Sequence, residues 1–171
     1  MDAPEYISDL FRHAINLERS AETLYKGMAE LFSHEPAVRK FWEQYANEEN
    51  GHALYLERVR DAMEQTRLAE QADEAILRQV RYCLEATSET RLESVHNLED
   101  AYRLATEIES SETNAIFSFI IANFSTDELV KSQNFLRVQL EKHATKLERE
   151  FPLPYKSRLN RQNLSANKPT I

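Results

Sequence analysis

The sequence predicts an all-α protein of four long helices, arranged as two antiparallel hairpins joined by a long crossover that holds a shorter helix of its own. Three observations predict it. Apolar residues recur at spacings of three and four instead of alternating, which is the helical period and not the strand period. Proline, the strongest helix breaker, is absent from 37 to 151, and glycine occurs just twice in the chain, at Gly27 and Gly51, a pattern that favours long helices. The sequence of one hairpin also recurs in the other.

Helix 1 is predicted over about 5–33, closed by the Ser33-His34-Glu35-Pro36 segment, and helix 2 over about 36–65, with Pro36 in a first turn that has no N–H to lose. Their short connection makes them antiparallel. Helix 3 is expected over about 98–123 and helix 4 over about 127–149, with Ser125 or Thr126 as the cap before Asp127. Residues 66–97 form the crossover, and within it DEAILRQVRYCLEA reads as a shorter helix. Residues 1–150 are thus read as one bundle domain, and 151–171 as a basic tail in which Lys156, Arg158, Arg161 and Lys168 have no acid among them. Such a tail suits an acidic surface of a neighbouring subunit, or disorder.

Composition narrows the function classes. At 171 residues the chain fits a single domain with a sizeable core. A net charge of -8 excludes a general nucleic-acid binder, which needs clustered Lys and Arg against phosphate. No apolar run reaches the length of a membrane span, and MDAPEYISDL has neither a basic region nor an apolar one, so a cytoplasmic location is expected. The single cysteine, Cys83, leaves no intrachain disulfide and no Cys-x-x-Cys motif, and reads as a packed helix residue.

The informative residues are the polar ones on the core stripes. Helix 1 presents Phe11, Ala14, Glu18, Ala21, Tyr25, Met28 and Phe32; helix 2 presents Val38, Tyr45, Glu49, His52, Leu56 and Val59. Helix 3 presents Leu98, Tyr102, Ala105, Glu109, Glu112, Ile116 and Phe119; helix 4 presents Leu129, Leu136, Leu140, His143 and Leu147. Each polar residue alone has an ordinary explanation: a groove carboxylate, a chance Glu-x-x-His, a hydrogen-bonded core histidine. Together, Glu18, Glu49, His52, Glu109, Glu112 and His143 come from every helix and meet at one level. Burying an ionised carboxylate without a partner costs several kcal/mol, a large fraction of a domain's stability. Inward Lys and Arg candidates are too few to neutralise the group, whereas one divalent cation satisfies carboxylate oxygen and imidazole nitrogen together.

An internal repeat aligns the two halves. HALYLER from His52 matches HATKLER from His143 at five of seven positions, and LERSAETL against IESSETNA pairs Glu18 with Glu109 and Ala21 with Glu112. A duplicated hairpin places equivalent ligands on both sides of one centre.

At these residues the chain resembles the rubrerythrin branch of the ferritin-like diiron carboxylate superfamily, over about residues 5–150. The resemblance implies a ferritin-like four-helix bundle whose first helix gives Glu18, second Glu49 and His52, third Glu109 and Glu112, and fourth His143. It also implies iron, although the same donors suit manganese and zinc. One metal would take Glu18, Glu49, His52 and Glu112; the other would take Glu109, His143 and a share of Glu49. Here the chain departs from the family, because Leu140 stands three before His143 where the resemblance calls for a bridging carboxylate. The second metal is therefore expected to bind more weakly. The resemblance further implies a homodimer that reduces hydrogen peroxide or handles dioxygen. Family members often carry a rubredoxin domain; this chain has no paired cysteines, so its electrons would come from an external redox donor protein. Tyr25 and Tyr102 lie two turns from Glu18 and Glu109, placed either to pack the core or to donate a hydrogen bond to a ligand. Three functional readings stand at this point: a rubrerythrin-like non-haem iron oxidoreductase, a non-enzymatic metal-binding or iron-handling protein, and a metal-free interaction module.

Overall fold

Two long helices carry the first half of the chain. α1 (Ile7–Leu31) starts where the Asp9 carboxylate accepts the Tyr6 backbone N–H at 3.0 Å, and α2 (Pro36–Ala62) starts on its proline. They form an antiparallel hairpin and share the most extensive packing in the molecule. Tyr25 of α1 lies beside Tyr45 of α2, with ring centroids 5.2 Å apart, while Glu18 faces His52 two turns away. These elements belong to a computed structural model that describes residues 5–110, 113–124, 134, 138 and 145–151.

α2 stops three residues short of its expected end, because Met63 takes an extended conformation (φ -80°, ψ 148°). A short α3 (Gln65–Leu68) follows. α4 (Glu74–Ala86) is the short helix expected within residues 66–97, capped by Asp73, whose carboxylate accepts from Ala75 N at 2.7 Å and Ile76 N at 3.2 Å. Leu77, Val80 and Cys83 form its buried stripe. The segment ahead of α1 fastens this region: Ile7 N donates to Glu70 O at 2.9 Å, Ala72 N donates to Glu5 O at 3.0 Å, and the Glu5 carboxylate meets Arg81 of α4 and His13 of α1. A 3₁₀ helix (Glu89–Ser94) then lies against α1, so closely that a Cβ on Gly27 would fall 2.3 Å from Cδ1 of Leu92. That approach explains one of the two glycines.

α5 (Leu98–Ser110) and α6 (Thr113–Phe124) cover the span expected for helix 3. Of the span expected for helix 4, residues 134, 138 and 145–150 are helical; Ser125 and Thr126, and with them the expected cap, lie outside the described residues. Among the described residues the protein is helical, with no strand beyond the isolated bridge of Tyr6 with Gln71. No described helix is long and apolar enough to cross a membrane.

The core falls into two apolar clusters. One joins the N-terminal half of α1 (through Leu17) to Tyr55, Leu56 and Val59 of α2, Leu77, Val80 and Cys83 of α4, and Ile116, Phe117 and Ile120 of α6. The other joins α1 from Ala21 onward to α2 from Val38 to Ala46, α5, Leu147 and Phe151. Between them, on α1, α2 and α5, lies a level of buried polar side chains.

Candidate metal centre

That level contains Glu18, Glu49, His52 and Glu109, which are 3%, 4%, 3% and 7% exposed. Every helix-1 and helix-2 stripe residue expected from the spacing is buried, the two glutamates and the histidine included. On α2, Glu49 and His52 sit one turn apart and share a face. The antiparallel packing then brings Glu18 of α1 opposite them. The His52 Nδ1 lies 3.1 Å from Glu49 Oε2 and 3.4 Å from Glu18 Oε2, so a single N–H is shared by two carboxylates. Among the described residues these three form the group of His, Cys, Asp or Glu whose ligand atoms all lie within 4.8 Å of one another.

Burial alone would pull the His52 imidazole below its usual value, but hydrogen bonds and charge from Glu18 and Glu49 outweigh it and push the group up to about 10. An imidazolium at His52 offsets one negative charge of the two carboxylates it faces and leaves the other without a counter-charge in the cluster. A divalent cation held here would take the place of that proton, since neutral imidazole and carboxylate are its natural donors.

Glu109 reaches the same level from α5. Its Oε1 accepts a short hydrogen bond from the hydroxyl of Tyr25, which crosses from α1. Burial first, then the charges of Glu109 and Glu49, hold the Tyr25 phenol protonated far above the ordinary tyrosine range. The phenol donates across the molecule to Glu109, not along its own helix to Glu18. Tyr102, in contrast, is half-buried and packs its ring on Phe151 at 4.7 Å, the packing role. No family model, no curated protein and no solved structure matches this chain.

Of the six expected ligands, the structure thus brings Glu18, Glu49 and His52 together and buries Glu109 beside Tyr25. Glu112 and His143 lie outside the described residues, as does Leu140. Near the centre stand buried or half-buried polar residues outside the stripes read from the spacing. Glu22 is buried at 9% exposure and pairs with Arg19 at 2.9 Å and with Lys26. Lys146 pairs with Glu48 and lies 4.9 Å over the Tyr45 ring. The Glu22–Lys26 spacing of four was the readable signal for the first. Lys146 with Glu48 is a contact over 98 residues and has no local signature.

Proposed function

We propose that this chain is a rubrerythrin-like, ferritin-like four-helix bundle that holds iron at the Glu18, Glu49 and His52 level and acts as a non-haem iron oxidoreductase on hydrogen peroxide. The observation that carries the reading is the buried cluster itself: two carboxylates and an imidazole, each at most 4% exposed, with donor atoms inside 4.8 Å. Two carboxylates packed this tightly away from water carry more negative charge than one imidazolium offsets, and the donor set fits a hard or borderline divalent metal. Iron held there would supply the electrons that peroxide reduction consumes.

The residues have separable tasks in this reading. Glu18, Glu49 and His52 bind. Tyr25 orients Glu109 through its hydroxyl, and Phe117, its ring tilted by 39° with its centroid 4.7 Å from that of His52, covers the imidazole. Glu112 and His143 complete the ligand set through the repeat, and residues 66–97 serve as the crossover between two hairpins. A homodimer and an external electron donor belong to the same proposal.

A second reading, a metal-binding or iron-handling protein without two-electron chemistry, is favoured by one residue: Leu140, where a bridging carboxylate would complete the other half. Anaerobic loading with Fe²⁺ followed by elemental analysis and a peroxide-consumption assay separates the two. Two irons per chain with turnover supports the oxidoreductase; one metal without turnover supports the second; no metal at all ends both. Replacing Leu140 with Glu is expected to raise the metal stoichiometry.

A further inference from the structure

We infer that Arg19 is the positioning residue of this centre: its guanidinium forks across the α1–α2 seam and sets the register that keeps Glu18 and Glu49 at binding distance. The inference rests on the reading of that cluster as a cation site. Arg19 Nη1 lies 2.5 Å from Asn50 Oδ1 and 2.9 Å from Glu22 Oε2, while Nη2 lies 3.3 Å from Glu57 Oε1. Arg19 follows Glu18 in sequence and Asn50 follows Glu49, so the clamp joins the two helices one residue away from the two carboxylates it would align.

Something directional is needed at this level. The apolar clusters on either side hold α1 and α2 together, but apolar burial is non-directional and tolerates small slides. The His52 N–H also spans the seam, but it is divided between Glu49 at 3.1 Å and Glu18 at 3.4 Å and fixes their relative height weakly. Arg19 resists such slides, because a planar guanidinium can serve three acceptors on fixed vectors. Its partners Glu22, Asn50 and Glu57 are not donors of the cluster, so the clamp holds whether or not a cation is present. The internal repeat sharpens the point. Ser110 stands at the position matching Arg19, and Glu141 at the one matching Asn50, so the guanidinium occurs only in the half whose Glu-x-x-His pair is intact.

The test uses the full chain with Co²⁺ as a spectroscopic probe and Zn²⁺ as competitor. Arg19→Gln is expected to weaken Co²⁺ binding about tenfold, as loss of an outer-shell support does, and to alter the ligand-field absorption of the bound ion. The thermal midpoint of the metal-free variant should stay near that of the native chain, because the Arg19 side chain is 35% exposed and such ion pairs contribute little. Arg19→Lys should fail to restore affinity, since a point charge cannot span the same acceptors. Asn50→Ala should give a similar loss that adds little to Arg19→Gln. If the native chain binds Co²⁺ and Arg19→Gln binds it with the same affinity and spectrum, or if Arg19→Lys behaves as native, the positioning role is wrong while the metal centre stands. If the native chain binds neither Co²⁺ nor Zn²⁺, both fall.

Discussion

Replacing Tyr25 with Phe removes a single oxygen from a fully enclosed polar contact, the hydrogen bond to Glu109. Tyr25 is 0% exposed and Glu109 is 7% exposed, so neither end of the bond gains water when the other is lost. The ring itself stays useful to the core: it stacks on Trp42 at 5.9 Å with an interplanar angle of 9°, and phenylalanine keeps that surface. The change in stability therefore reports the hydroxyl and not a cavity. A hydrogen bond to a charged group contributes about 1.5–3 kcal/mol, and the burial of both partners puts this one near 2 kcal/mol or above. For a chain of 171 residues that loss lowers the thermal midpoint by about 4–8 °C. The assay is paired thermal and urea unfolding of metal-free protein at neutral pH, with unchanged far-ultraviolet circular dichroism as the control for fold. Glu109→Leu combined with Tyr25→Phe should recover most of the loss, because removing both partners leaves no stranded carboxylate. An unaltered midpoint in Tyr25→Phe would show that the phenol does not hold Glu109, and the outward extension of the centre to α5 would go with it.

Other perturbations address the centre and its scaffold. His52 is raised above its unfolded value of 6.5 to about 10, so its contribution to the metal-free chain is present in full below pH 6.5 and disappears as pH rises through 10. Urea midpoints across that window should decline in the native chain and lose that component in His52→Gln; a native midpoint rising over the same range would contradict the shared imidazolium. Metal binding runs the other way, tightening as pH rises, because the cation displaces the same proton. Asp73→Ala should cost about 1 kcal/mol by stripping the α4 cap, seen as a lower urea midpoint. Gly51→Ala, exposed in α2 with nothing within 4 Å of the added carbon, should stabilise the chain by about 0.5–1 kcal/mol in the same titration. Gly27→Ala meets Leu92 and should show no such gain.

The helices were legible because their signals are local. The period of three and four and Pro36 at the head of α2 act within a turn or two, and the spans read for α1, α2 and α4 agree with the structure to within a few residues. The same locality makes the stripe residues of α1 and α2 readable. Once Phe11, Ala14, Ala21 and Met28 face inward, Glu18 has to follow them, as Glu49 and His52 follow Tyr45 and Leu56.

What lay beyond the residue pattern is everything set by how far apart in sequence the partners are. Nothing in a one-dimensional string specifies that Tyr25 bonds to Glu109, 84 residues on, or that Arg19 finds Asn50 and Glu57 across the seam. Those pairings depend on the relative height and rotation of helices, which the packing of the two apolar clusters decides. Periodicity tells each helix which side faces in, so the candidate donors could be named one by one. Only their assembly in space turns separate buried acids into a centre whose donor atoms lie within 4.8 Å, because electrostatic cooperation between Glu18, Glu49 and His52 depends on distance and not on spacing along the chain.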